Sequence, residues 1–148
     1  MLSRRNYSEQ ELREKLSGYA SAQEIDEILQ VCRQKDYLND SRLAEFLVEK
    51  YLKKAKGYLY ISSILEKRGI SRDVIDRIKQ DLDYNLEFRV AEHFFLKNRK
   101  KKKLSSLLFS LKNRGFSFRT INKLIRTYGK KLNGQQNNQD VVSELLQE

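Results

Sequence analysis

The chain has 148 residues and a formal net charge of +10, with no Pro, no Trp, one Cys and one His. That length suits one compact domain or a short array of repeats, the scarcity of helix breakers points to an all-α class, and a single cysteine excludes an intramolecular disulfide or a thiolate metal cluster. No apolar run approaches the roughly 18 to 20 residues that cross a bilayer, and residues 1–7 are basic without the apolar stretch of a signal peptide, so a cytoplasmic protein is expected.

In chain order, Ser8 with Glu11 and Ser21 with Glu24 have capping-box spacing and mark two helix starts. Leu12, Leu16, Ile25 and Ile28 supply the apolar positions that follow, and Cys32 reads as a buried apolar residue. Leu43, Phe46, Leu47 and Tyr51 then fall at helical spacing, as do Ile61, Ile64 and Leu65, and next Val74, Ile75 and Ile78. Three further stripes follow: Val90 with Phe94, then Leu104, Leu107, Leu108 and Leu111, then Ile121, Leu124, Ile125 and Tyr128. Each helix must bury one such face against its neighbours. His93, between Glu92 and Phe94, reads as a packing residue in the core or at its edge.

The stripes recur. Arg42-Leu43-Ala44-Glu45-Phe46 is answered by Arg89-Val90-Ala91-Glu92-His93, a shift of about 47 residues. Ile61, Ile64, Leu65, Arg68, Gly69, Ile70 and Ser71 recur as Leu107, Ser110, Leu111, Arg114, Gly115, Phe116 and Ser117. A shortened copy opens the chain with Leu12, Leu16, Gly18, Tyr19, Ser21, Ile25 and Ile28. The expected architecture is an elongated all-α array of three tandem three-helix repeats with helix-turn-helix-like corners: residues 1–36, shortened at its start, then 37–83, then 84–132. Residues 133–148 form a polar acidic tail expected to be flexible. Gly69 and Gly115 stand where a helix ends in a left-handed residue, and Ser71 and Ser117 where the next needs an N-cap. Arg42 and Arg89, each close to an acid (Asp40 and Glu87), read as structural ion pairs near helix starts.

The excess charge belongs to one segment. Residues 1–96 are balanced, whereas residues 97–132 hold thirteen Lys and Arg and no acid. Six of the seven residues 97–103 are basic: Lys97, Arg99, Lys100, Lys101, Lys102 and Lys103. Arg114, Arg119, Lys123 and Arg126 continue the set. Such a surface gains from phosphates by releasing their condensed counterions. A second candidate cluster sets Lys53, Lys54 and Lys56 beside Tyr58 and Tyr60, residue types that hold phosphates and stack on bases, or that simply cover a joint between helices. With one His, one Cys, no phosphate-binding glycine loop and no paired carboxylates, the sequence offers no catalytic site and calls for no metal or cofactor.

The segment Tyr37-Leu38-Asn39-Asp40-Ser41-Arg42-Leu43-Ala44, followed by Lys56-Gly57 and by Ile61, Leu65 and Arg68-Gly69-Ile70, resembles the RecX family of recombination regulators. The resemblance spans roughly residues 4–129, with Leu43, Tyr58 and Tyr60 departing from the family's usual aromatic, Pro and basic residues. It implies a non-enzymatic monomer that binds the filament of the RecA recombinase on single-stranded DNA. It also implies inhibition of RecA's ATPase, strand-exchange and coprotease activities, and so a part in DNA repair and the SOS response. Read without that resemblance, the corners at Gly69 and Gly115 also suit a helix-turn-helix protein acting on duplex DNA.

Overall fold

A computed structural model describes residues 6–129, and its eight helices are α1 (Glu9–Leu16), α2 (Ala22–Gln34), α3 (Asp40–Lys53), α4 (Tyr58–Lys67), α5 (Arg72–Asp81), α6 (Tyr84–Asn98), α7 (Leu104–Asn113) and α8 (Phe118–Tyr128). No strand occurs among the described residues. The helices follow the repeat pattern, α3-α4-α5 and α6-α7-α8 as full triplets and α1-α2 as the copy that lacks a first helix. The acidic tail lies outside the described residues. Among the described residues two compact units form: one holds residues 6–49 with Ser62–Leu82, the other Lys50–Ile61 with residues 83–129. Their boundaries do not coincide with the sequence repeats, because α3 and α4 contribute to both.

In the first unit both capping boxes close: Ser8 Oγ accepts from the Glu11 amide, Ser21 Oγ from the Glu24 amide, and each Glu reaches back to the cap's own N–H. Leu12, Ile25, Leu29, Cys32 and Leu38 form a core cluster. Ser71 caps α5, and Gly69 before it has φ +73°. The α1–α2 turn is one residue longer than the α4–α5 and α7–α8 corners, and its Gly18, unlike Gly69 and Gly115, is not left-handed, while Tyr19 is 88% exposed. Two expectations need correction here. Ile28 and Phe46 are exposed rather than buried, since α2 and α3 spend their inward faces on Ile25, Leu29 and Cys32 and on Leu43, Ala44 and Leu47. Arg42 does pair, but with Asp36 rather than Asp40.

In the second unit α6, α7 and α8 enclose Ala91, Phe95, Leu107, Leu108, Leu111, Phe116, Ile121 and Leu124. Helices α6 and α8 run side by side in the same direction, because Tyr84 meets Arg119, Phe88 meets Lys123, and Glu92 and Phe95 meet Tyr128. Ser117 caps α8 after Gly115 at φ +85°. His93 is exposed, contrary to its expected place in packing, because the inward face of α6 is filled by Glu87, Ala91 and Phe95. Arg89 is exposed too and has no carboxylate partner among the described residues; its neighbour Glu87 is wholly buried and faces elsewhere.

One joint is built twice, once inside each unit. Asp40, opening α3, accepts the Glu9 N–H at the start of α1, and Arg68 of the Arg-Gly corner bonds Glu11 and the Asn6 carbonyl. Glu87, in the first turn of α6, accepts the Tyr58 N–H at the start of α4, and Arg114 of the second corner bonds the Lys54 and Ala55 carbonyls. Free amides at a helix start are thus satisfied by an acid from elsewhere in the chain. The second joint is the tighter: Gly57 N–H donates to the Arg114 carbonyl at 2.8 Å and Leu59 N–H to the Gly115 carbonyl at 2.9 Å. A Cβ on Gly57 would stand 2.3 Å from the Phe116 nitrogen, and one on Gly115 2.3 Å from that of Tyr60. Only glycine allows these backbones to meet.

Candidate nucleic-acid interface

All fifteen basic and aromatic residues singled out above belong to the second unit. Lys97 ends α6 with Asn98, and Arg99, Lys100, Lys101, Lys102 and Lys103 form the link to α7; all six cations are exposed. On α8 the exposed face carries Arg119, Lys123 and Arg126 at helical spacing, while Thr120, Ile121, Leu124 and Ile125 are buried beneath. Tyr128 sets the end of this row. Its hydroxyl donates to Glu92 at 2.9 Å and its ring lies 5.4 Å from Phe95, so α8 ends beside the part of α6 that leads into residues 97–103. Hydrogen bonding to Glu92, with burial second, raises the Tyr128 pKa, and the Arg99 charge opposes the shift. Row and link therefore converge.

Two of the fifteen have structural work instead. Tyr58 is 7% exposed, its ring buried in the joint, in keeping with the second of the two roles its sequence position allowed, covering a joint between helices. Arg114 is half-buried; besides its two carbonyl bonds, its guanidinium sits 4.2 Å from the Phe94 ring centroid. The remaining cluster is intermediate in character. Lys53 and Lys54 are exposed at the end of α3, whereas Lys56 lies 4.6 Å over the half-buried Tyr60 ring, which meets Tyr51 edge-on at 5.6 Å.

Lys53 lies apart from the α8 row. It shares a shallow groove of about 390 Å³ with Leu52, Ala55, Leu86, Arg89, Val90 and His93. Its α6 residues fall, by helical spacing, on the side away from Tyr84, Phe88, Glu92 and Phe95. The structure also adds residues that sequence reading passed over. Tyr84 and Phe88, one turn apart on α6, lie under Arg119 at 5.1 Å and Lys123 at 4.2 Å. Their i, i+4 spacing was the available signal.

Glu87 holds this face in place. Oε1 accepts from the Tyr58 and Ser117 amides, each at 3.2 Å, and Oε2 from the Ser117 hydroxyl at 3.1 Å and the Thr120 hydroxyl at 2.8 Å. The start of α8, and with it Arg119, is thereby tied to α6 and to the start of α4. No group of three or more potential metal ligands occurs among the described residues, and no described helix is long and apolar enough to cross a membrane.

No protein-family model matches the chain. The regulatory protein RecX of Vibrio vulnificus is 33% identical over 129 residues, covering 82% of this chain and 83% of its own length. The chain belongs to the RecX family. RecX of Haemophilus influenzae (strain PittEE) is 34% identical over 99 residues, 66% of this chain and 64% of that protein; RecX of Pasteurella multocida is 40% identical over 85 residues, 55% and 51%. The chain thus spans less than two thirds of those two relatives. The crystal structure of RecX from Lactobacillus salivarius shares the RecX fold with a TM-score of 0.72 at 24% identity, over 85% of this chain and 88% of that one.

Proposed function

We propose that this RecX-family protein binds the filament that RecA forms on single-stranded DNA and restrains RecA's ATPase, strand-exchange and coprotease activities. The observation that carries the reading is the exposed surface made by residues 97–103 and the α8 row, drawn from a segment without one acid. A filament with DNA along it offers phosphates to such a surface, and their counterions are released on contact. A bound monomer in the cytoplasm would obstruct incoming duplex and added recombinase subunits. Inhibition is then steric and needs no cofactor.

The test is single-stranded-DNA-dependent ATP hydrolysis by the cognate recombinase, titrated with this protein beside its binding to the same DNA alone. Hydrolysis that falls at concentrations too low to coat free DNA supports the filament as target. If it falls only once free DNA is saturated, the protein is a basic competitor and the reading fails. Protection of a defined duplex sequence by the protein alone would replace it with the helix-turn-helix alternative.

A further inference from the structure

We infer that the seam between α6 and α8 is a site for unpaired nucleobases, in which Tyr84 stacks on a base while Arg119 and Lys123 take the flanking phosphates. This deepens the nucleic-acid part of the proposed function and rests on it. The seam has two rungs: the Arg119 guanidinium 5.1 Å from the Tyr84 ring centroid and the Lys123 ammonium 4.2 Å from that of Phe88. A cation seated on a ring is held in position, so less side-chain freedom is lost when it meets a phosphate. Tyr84 is 41% exposed, which leaves ring surface for a further planar group.

The acids around the seam are committed elsewhere. Asp83 caps α6 by accepting from the Asn85 amide at 2.9 Å, Glu87 is buried on its four donors, and Glu92 accepts from Tyr128. Among the described residues neither Arg119, Lys123 nor Arg126 forms an ion pair with a carboxylate, and all three are exposed. Every base has a π-face to offer a ring, but a duplex keeps those faces inside its own stack. The rungs therefore favour a single strand over a duplex by chemistry rather than by charge. The two contributions separate experimentally, because phosphate contacts set the salt dependence of binding and stacking does not.

The chain contains no Trp, so Tyr84→Trp introduces a single indole reporter. The full chain carrying it is titrated with oligothymidylate, and its fluorescence should be quenched in step with the anisotropy of the labelled strand. Tyr84→Ala should lower affinity for the strand about tenfold, within the range of one base–aromatic stack, with the salt slope unchanged and duplex affinity altered less than about twofold. Tyr84→Phe should restore the affinity. Arg119→Ala should instead flatten the logarithmic salt slope by about 0.7.

A bound strand that leaves the indole unquenched overturns the inference, as does equal loss of strand and duplex affinity in Tyr84→Ala. Failure of the unaltered chain to bind oligothymidylate overturns it too. The recombinase titration on the same preparations tells the two failures apart. Inhibition that persists without quenching leaves the regulator reading standing and removes only the seam; quenching without inhibition does the reverse. Should Tyr84→Ala not fold, the quenching result decides alone.

Discussion

Replacing Glu87 tests whether one buried carboxylate holds the second unit's joint together. In Glu87→Ala the Tyr58 and Ser117 amides lose their acceptor, while the Ser117 and Thr120 hydroxyls keep each other at 3.0 Å. Each buried donor left unsatisfied costs about 1 to 3 kcal/mol, so a loss of about 3 to 5 kcal/mol is expected, a large share of the roughly 5 to 15 kcal/mol that holds a typical domain. Glu87→Gln is the control. Its carbonyl oxygen can take the place of Oε1 and keep both amides, and its NH₂ can take the place of Oε2 and donate to the two hydroxyls, which rotate to accept. That exchange should cost about 1 kcal/mol. Urea unfolding followed by helical circular dichroism measures both variants. If Ala and Gln fall within about 1 kcal/mol of each other, the four bonds do not anchor the joint and the reasoning is wrong.

Gly115→Ala should lose at least about 3 kcal/mol, since it combines a left-handed residue, costing about 1 to 2 kcal/mol, with a Cβ driven against the Tyr60 backbone. Gly18→Ala, which meets no atom within 4 Å, should be neutral or slightly stabilising in the same unfolding experiment. Burial first, then the charges of Glu9 and Glu11, raise the Asp40 pKa even though it accepts the Glu9 amide. Its ionised form is thus disfavoured in the fold, and this group's contribution to stability grows as pH falls through the raised value. Asp40→Asn, which keeps an acceptor, should match or exceed the parent at pH 7 and lose that advantage below the ordinary carboxylate range, as thermal melts across pH will show. Changing Lys100, Lys101, Lys102 and Lys103 together to Gln should leave stability within about 0.5 kcal/mol and flatten the salt slope for single-stranded DNA by up to about 3. An unchanged slope would remove the link from the interface.

Much of this molecule could be read from residue order, because its controlling interactions repeat at short range. Ser8 with Glu11 and Ser21 with Glu24 close their capping boxes within one turn, and Ser71 and Ser117 cap the helices they precede. The helical period alone places Leu65 and Leu111 inside, and the shift between them exposes the repeat before any coordinates are seen. Concentration of cations in residues 97–132 is likewise a property of order alone.

Where each cation or ring lies was decided by contacts between residues far apart in the chain. Arg114 and Arg119 look alike in sequence, yet one is spent on the Lys54 and Ala55 carbonyls and the other lies open over Tyr84. Tyr58 and Tyr84 are both aromatic residues opening a helix, yet one is sealed in a joint and the other half-exposed. Residue order specifies which face of a helix is apolar, but not how much of it a neighbour will cover, as Phe46, Ile28 and His93 show. The partner acid is equally hidden from it: Glu87 meets Tyr58 across 29 residues and Thr120 across 33, distances in sequence that only the packing of helices brings to hydrogen-bond length.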